Sequence, residues 1–157
     1  MKPDAPQLAV RGTAWVVMQF TLMLALLAAA PLWRMQWPGY WPCYVGGAWV
    51  ALGAWVGICG TRDLGKHRTP FPRPNDDAQL VTTGIYAHVR HPLYLSVIGL
   101  GFAWALLWRS WPALALAVAQ VPFFDAKARS EEHWLRERFP GYADYARRAK
   151  RFIPGIY

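Results

Sequence analysis

A chain of 157 residues is one domain by length, but 55% apolar residues with ten tryptophans is unusual for a soluble domain of that size. Seventeen Lys and Arg against nine Asp and Glu leave a net charge of +8. No nucleic-acid partner is needed to account for that charge, because the basic residues collect where a membrane would place them.

No Asp, Glu, Lys or Arg occurs between Arg11 and Arg34, Arg34 and Arg62, Arg90 and Arg109, or Arg109 and Asp125; these windows hold 22, 27, 18 and 15 residues. The first two suffice for helices of about 20 residues across a hydrocarbon core of ~30 Å. The last two are short, and a fourth helix spans only if it runs on past Asp125 into the headgroups or the bilayer thins. The first span is expected at about 13–33. Its apolar stretch is longer than a signal-peptide core and is read as uncleaved, although Ala28-Ala29-Ala30 resembles a cleavage site. Trp33, Trp37, Tyr40 and Trp41 form an aromatic belt, and Pro31, Pro38 and Pro42 make the outer connection a tight turn.

The second span, about 42–60, carries Gly46, Gly47, Gly53 and Gly57; the pair Gly53 and Gly57 suits close approach of another helix better than it suits room for a ligand. Cys43 and Cys59 lie some 24 Å apart along a helix, beyond disulfide reach. Residues 61–91 form a long loop rich in Pro and Gly, the kind of segment that binds or covers a ligand. The third span, about 92–108, opens on Pro92, and the fourth, about 111–126, on Trp111-Pro112, with Pro122 as an expected kink. Arg109-Ser110 turns this hairpin. Beyond it, residues 130–138 read as a separate amphipathic helix capped by Ser130, within a tail at 127–157.

The expected fold is therefore all-α: one integral membrane domain over 1–157, with four transmembrane helices, a C-terminal hairpin and a cytoplasmic C-terminal helix. With both termini on one side, that side holds fifteen of the seventeen basic residues and leaves only Arg34 and Arg109 opposite. The asymmetry places both termini, loop 61–91 and the tail in the cytoplasm, with the protein in a bacterial or archaeal inner membrane and the lipid bilayer as its first partner.

Two polar clusters flank the hairpin on that face. Tyr86, Arg90, His91 and Tyr94 precede the third span, and Glu131, Glu132 and His133 follow the fourth. Singly, each is open to a bland reading as an interfacial anchor or a weak surface ion pair. Together they converge at one depth on one membrane face, where charge needs water, a partner or a ligand. No metal is expected, since neither His-x-x-x-His nor His-Glu-x-x-His occurs, and no nucleophile elbow, P-loop or Gly-x-Gly-x-x-Gly is present.

Thr69-Pro-Phe-Pro-Arg-Pro74, Leu80-Val-Thr-Thr-Gly-Ile-Tyr86, Val89-Arg-His-Pro-Leu-Tyr94, Glu131-Glu132 with Leu135, and Phe139-Pro-Gly-Tyr142 through Tyr145 to Arg151-Phe-Ile-Pro154 follow one another over half the chain. This pattern resembles the isoprenylcysteine carboxyl methyltransferase family, an integral membrane group related to phospholipid N-methyltransferases. The resemblance implies S-adenosyl-L-methionine as cofactor, held between the terminal hairpin and the cytoplasmic segments, and a lipophilic or small-molecule acceptor. It places Tyr86, Val89, Arg90, His91, Pro92, Tyr94, Glu132, Tyr142 and Tyr145 around the cofactor. Arg90 suits the cofactor carboxylate, Glu131 or Glu132 its amino group, and Tyr142 and Tyr145 could cover it.

Methyl transfer is an in-line displacement that depends on alignment and desolvation rather than on a covalent intermediate. The candidate catalytic residues are Arg90, Glu131, Glu132 and Arg147; Arg147, Arg148 or Arg151 could position an acceptor carboxylate, and Glu131 or His133 could take a proton from an amine. A thiol acceptor stays open. Sterol reductases are similar in the C-terminal half, including an acid followed by His and a tail like Ile156-Tyr157, so a reductase using NADPH is the alternative, and a noncatalytic membrane subunit is the third.

Overall fold

The computed structural model describes residues 12–65, 71 and 79–157. The motif at 69–74 lies outside the described residues except for Phe71. The elements are α1 (Thr13–Leu32), α2 (Trp41–Leu64), a 3-10 turn (Gly84–Ala87), α3 (Pro92–Leu107), α4 (Trp111–Arg138) and α5 (Tyr142–Arg148). Among the described residues there are no strands, only one isolated parallel bridge between Val89 and Lys150. The protein is a helical membrane bundle. Helices α1 and α2 are long and apolar enough to cross a bilayer, and Phe20, Leu24, Trp55, Ile58 and Val118 stand exposed on the outside of the bundle, as lipid-facing side chains do.

The tightest seam joins α2 to α3. Gly46 meets Leu107, Gly53 meets Leu100, Gly57 meets Ser96, and Gly60 meets Leu93; each step forward on α2 is matched by an equal step back on α3, the signature of a straight antiparallel register. A side chain at Gly57 would collide with the Ser96 hydroxyl, which donates to the Gly53 carbonyl at 2.7 Å. The glycines thus serve close packing, and an intramembrane hydroxyl finds its acceptor in that seam. Helix α2 continues past the expected end at 60 to Leu64, where Asp63 accepts a hydrogen bond from the backbone N–H of Ile85 at 2.8 Å. Cys43 and Cys59 are both free.

At the end of the bundle where α1 turns into α2, Trp37 packs between Trp41 and Trp111, with ring centroids at 5.9 and 4.6 Å. The hairpin turns at Arg109, whose φ of 54° is left-handed, and the Ser110 hydroxyl caps α4 by accepting from Ala113 N–H. Pro112 occupies the first turn, where no N–H is needed.

One expected element is corrected. No separate helix begins at Ser130: α4 is continuous for 28 residues, about 42 Å, through Pro122 and Ser130 to Arg138. After Pro122 the segment Phe123 to Ser130 contains neither Gly nor Pro, and burial of Phe124, Lys127 and Ala128 against the bundle fixes the helix through its change from apolar to charged residues. A single rigid rod therefore links the bilayer interior to Glu131 and Glu132.

Candidate active site

The site forms where α3 begins, α4 leaves the apolar zone and the segment after α5 returns. Pro92 opens α3 with His91 as its N-cap, so the residues between the 3-10 turn and Pro92 stay out of the helix. They pair with the returning chain: Arg90 N–H donates to Lys150 O at 2.7 Å, His91 N–H to Arg151 O at 3.2 Å, and Lys150 N–H to His88 O at 3.1 Å. Backbone pairing therefore brings Arg90 and Arg151 together although 61 positions separate them.

Glu132 lies at the centre, 1% exposed. Its Oε1 accepts from Arg90 Nε and Nη2 at 3.0 and 2.9 Å, from His91 Nε2 at 3.2 Å and from Arg151 Nε at 3.0 Å. Its Oε2 accepts from Arg151 Nη2 at 3.1 Å and Arg136 Nη2 at 3.5 Å. Burial alone would raise its pKa, but hydrogen bonds from His91, Arg151 and Arg90 overcome that and hold the carboxyl well below its ordinary value. The same bonds to Glu132 push the Arg151 guanidinium up. Arg90 Nη1 donates in addition to the carbonyls of Ala146, at 3.0 Å, and Ala149, so this guanidinium ties α5 to the hub. Arg151 also reaches Asp125 at 2.9 Å.

Glu131 is placed differently. Partly exposed, it lines a cavity together with Tyr86, Arg90, His91, Pro92, Tyr94, Tyr142 and Tyr145; Leu64, Gln79 to Val81, Leu93 and Leu135 close its sides. The Tyr94 hydroxyl donates to Glu131 Oε2 at 2.7 Å, and the Tyr94 and His91 rings stack 5.3 Å apart, only 4° from parallel. The Tyr145 hydroxyl donates to the carbonyl of Tyr86 at 2.8 Å, and burial pushes its pKa up to about 12. Burial, assisted by nearby Glu131 for Tyr86 and Glu132 for Tyr142, also raises those phenols, so all three are neutral at physiological pH. The Tyr142 hydroxyl is buried in the cavity wall with no hydrogen-bond partner among the described residues, a debt that a bound polar ligand can settle.

Of the residues proposed from sequence, Tyr86, Arg90, His91, Pro92, Tyr94, Glu131, Tyr142 and Tyr145 thus share one cavity. Glu132 stands behind it as the clamp of Arg90, His91 and Arg151. Val89 is buried on the other side of the 84–89 segment, where a second cavity of about 350 Å³ is lined by Trp49, Trp55, Val56, Leu95, Phe152 and Pro154, with His88 at its edge. Arg147 is not brought to either cavity; it is exposed and paired with Asp144, one turn away on α5. His133 faces outward to Glu137 at 3.2 Å.

Sequence reasoning gave Arg151 no preference over its neighbours, since only the backbone pairing distinguishes it. It passed over Lys127, fully buried, whose ammonium donates to Gln19 and lies 5.3 Å from the centre of the Tyr94 ring. A lysine one turn before Glu131, directly after the apolar run of α4, was the available signal. No group of three or more metal-ligating side chains occurs among the described residues.

Comparisons with known proteins agree with this architecture. The chain is 34% identical over 148 residues to a nickel-cobalt-cadmium resistance protein of Alcaligenes xylosoxydans, covering 90% of this chain and 63% of that protein. It is 33% identical over 88 residues to a protein-S-isoprenylcysteine O-methyltransferase of Dictyostelium discoideum, covering 52% of this chain and 35% of that protein. It therefore spans from about a third to just under two thirds of these relatives' lengths. The fold matches that of a eukaryotic intramembrane Ras methyltransferase, an isoprenylcysteine carboxyl methyltransferase, with a TM-score of 0.67 at 21% identity over 99% of this chain and 55% of that one. The family model for phospholipid methyltransferases matches residues 41–141, from the start of α2 to the residue before α5. The chain belongs to the phospholipid methyltransferase family of membrane proteins.

Proposed function

We propose that this protein transfers a methyl group from S-adenosyl-L-methionine to an acceptor with an apolar body at the cytoplasmic face of the membrane. The observation that carries the reading is the cavity itself: within a fold shared with a membrane methyltransferase, it combines a carboxylate, Glu131, with an arginine, stacked aromatic rings and an unpartnered buried phenol, Tyr142. When bound, S-adenosyl-L-methionine supplies a methyl group activated by a positively charged sulfur.

This chain's residues suit such a cation-bearing amino acid. Glu131 is the acceptor for its ammonium group, and the Arg90 N–H not committed to Glu132 or to backbone serves its carboxylate. Tyr142 offers its hydroxyl, and the faces of Tyr86 and Tyr145 favour a sulfonium. The described residues bound about 110 Å³ of the cavity, room for only part of a nucleoside-sized ligand. The cavity across the 84–89 segment, apolar apart from His88 at its edge, supports an acceptor that arrives from the lipid; whether its reacting group is a carboxylate, an amine or a thiol sets how much proton removal the site must add.

Calorimetric titration of the detergent-purified protein with S-adenosylhomocysteine, beside NADPH, tests the reading. Micromolar binding of the former alone is expected. Binding of NADPH alone, or of neither, would overturn it.

A further inference from the structure

Lys127 is 0% exposed, and burying an ammonium at the edge of an apolar bundle carries a cost that a methionine of similar length would avoid. What the charge touches accounts for its presence. The ammonium donates to the side-chain carbonyl of Gln19 on α1 and lies 5.3 Å from the centre of the Tyr94 ring. That ring also stacks on His91, and its hydroxyl donates to Glu131 Oε2 at 2.7 Å. Glu131 itself stands one turn beyond Lys127 on the same face of α4. A continuous set of contacts therefore runs from Gln19 through Lys127 and Tyr94 to Glu131. Tyr94 and Glu131 line the candidate active-site cavity, whereas Gln19 and Lys127 do not. Two physical effects act along this route. A cation against a tyrosine ring holds the ring by cation-π attraction and draws electron density from the phenol, which makes its O–H a stronger donor. A glutamate with one oxygen already held has given up rotamers before a ligand arrives, so binding costs less freedom.

We infer that Lys127 is a positioning residue for recognition of the cofactor's amino group: it touches no ligand and acts by holding Tyr94, which in turn orients Glu131. The inference rests on the methyl-transfer reading, in which Glu131 accepts the ammonium of S-adenosyl-L-methionine. Through Gln19 it makes the first membrane helix part of the site, although that helix lies outside the residues matched by the family model.

The test titrates the full chain in phosphatidylcholine nanodiscs with S-adenosylhomocysteine and with its deamino analogue, which keeps the carboxylate and lacks the ammonium. The wild type should prefer the former, and the ratio of the two dissociation constants reads recognition of the amino group alone. Lys127→Met fills similar space without the charge; it should shrink that ratio about five-fold, the usual worth of one hydrogen bond, with binding of the analogue unchanged. Tyr94→Phe should shrink the ratio by a similar factor, and Lys127→Met added to it should shrink it no further, because both act through one contact. An unchanged ratio in Lys127→Met overturns the inference. So does equal weakening of both ligands, which marks a general distortion of the cavity, and so does a full further loss in the double variant. Should Lys127→Met fail to give a monodisperse protein, Gln19→Leu decides: it removes the acceptor that holds the ammonium, and an unchanged ratio there also overturns the inference. A wild type that binds both ligands equally refutes the role of Glu131 on which the inference rests. A wild type that binds neither is the separate result that overturns the methyl-transfer reading, and the inference with it.

Discussion

Glu131 and Glu132 follow each other on α4, yet a rotation of about 100° along the helix gives them opposite surroundings. Glu132 neutralises guanidinium groups from three segments and is shut away from solvent, whereas Glu131 borders the cavity with one oxygen held by Tyr94. Glu131→Gln should weaken S-adenosylhomocysteine binding by roughly ten-fold or more, the worth of one charge-assisted hydrogen bond, with little change in melting temperature. Glu132→Gln should instead lower thermal stability by about 3 kcal/mol, because it leaves buried guanidinium charge uncompensated. Calorimetry and thermal unfolding on the two variants separate these effects.

A pH dependence follows from the same hub. The folded pKa of Glu132 lies below the ordinary carboxylate value of roughly 4.3, so its contribution is fully present above that value and is lost as pH falls toward the folded pKa. Melting temperature should drop below about pH 4.5 in the wild type and drop less in Glu132→Gln. At the residue scale the motif around Arg90 and His91 and the two glutamates were legible in the sequence because chemistry-bearing residues crowd there. The division of labour between the glutamates was not, since it depends on which face of α4 meets Arg151.

Among the elements, the glycine pair on α2 was readable as a packing surface, and the structure extends it to Gly46 and Gly60 in one register with α3. Space decides which glycines matter. Gly57→Val places methyl groups where the Ser96 hydroxyl sits and should cost about 1–3 kcal/mol by overpacking, whereas Gly47, with nothing within 4 Å of an added Cβ, should tolerate alanine and gain roughly 0.5–1 kcal/mol from reduced chain freedom. Denaturation of the two variants in the same detergent checks the contrast. The length of α4 was not legible, because the sequence between Asp125 and Ser130 carries the composition of a membrane-surface connection. Burial of Lys127 and Ala128 against the bundle overrides that local signal.

At the scale of the whole molecule, the distribution of basic residues predicts that only Arg34 and Arg109 lie on the outer side. A membrane-impermeant maleimide added to intact cells should label Arg34→Cys and leave Arg147→Cys unlabelled until the membrane is opened. The reverse pattern would invert the proposed placement of the site. The all-helical bundle and its hairpin could be read from charge-free windows alone, since bilayer thickness dictates element length. The joining of the segment after α5 to residues 88–91 could not, as two short extended stretches leave no periodic trace.

That junction sets an order of events. The carbonyls of Ala146, Ala149, Lys150 and Arg151 that hold Arg90 and His91 in place come from chain made after the last membrane helix. During synthesis all four helices can enter the bilayer while Arg90 and His91 still lack these partners. Insertion and maturation of the site are consequently distinct steps, and a chain halted between them would sit correctly in the membrane without the formed cavity beside Glu131.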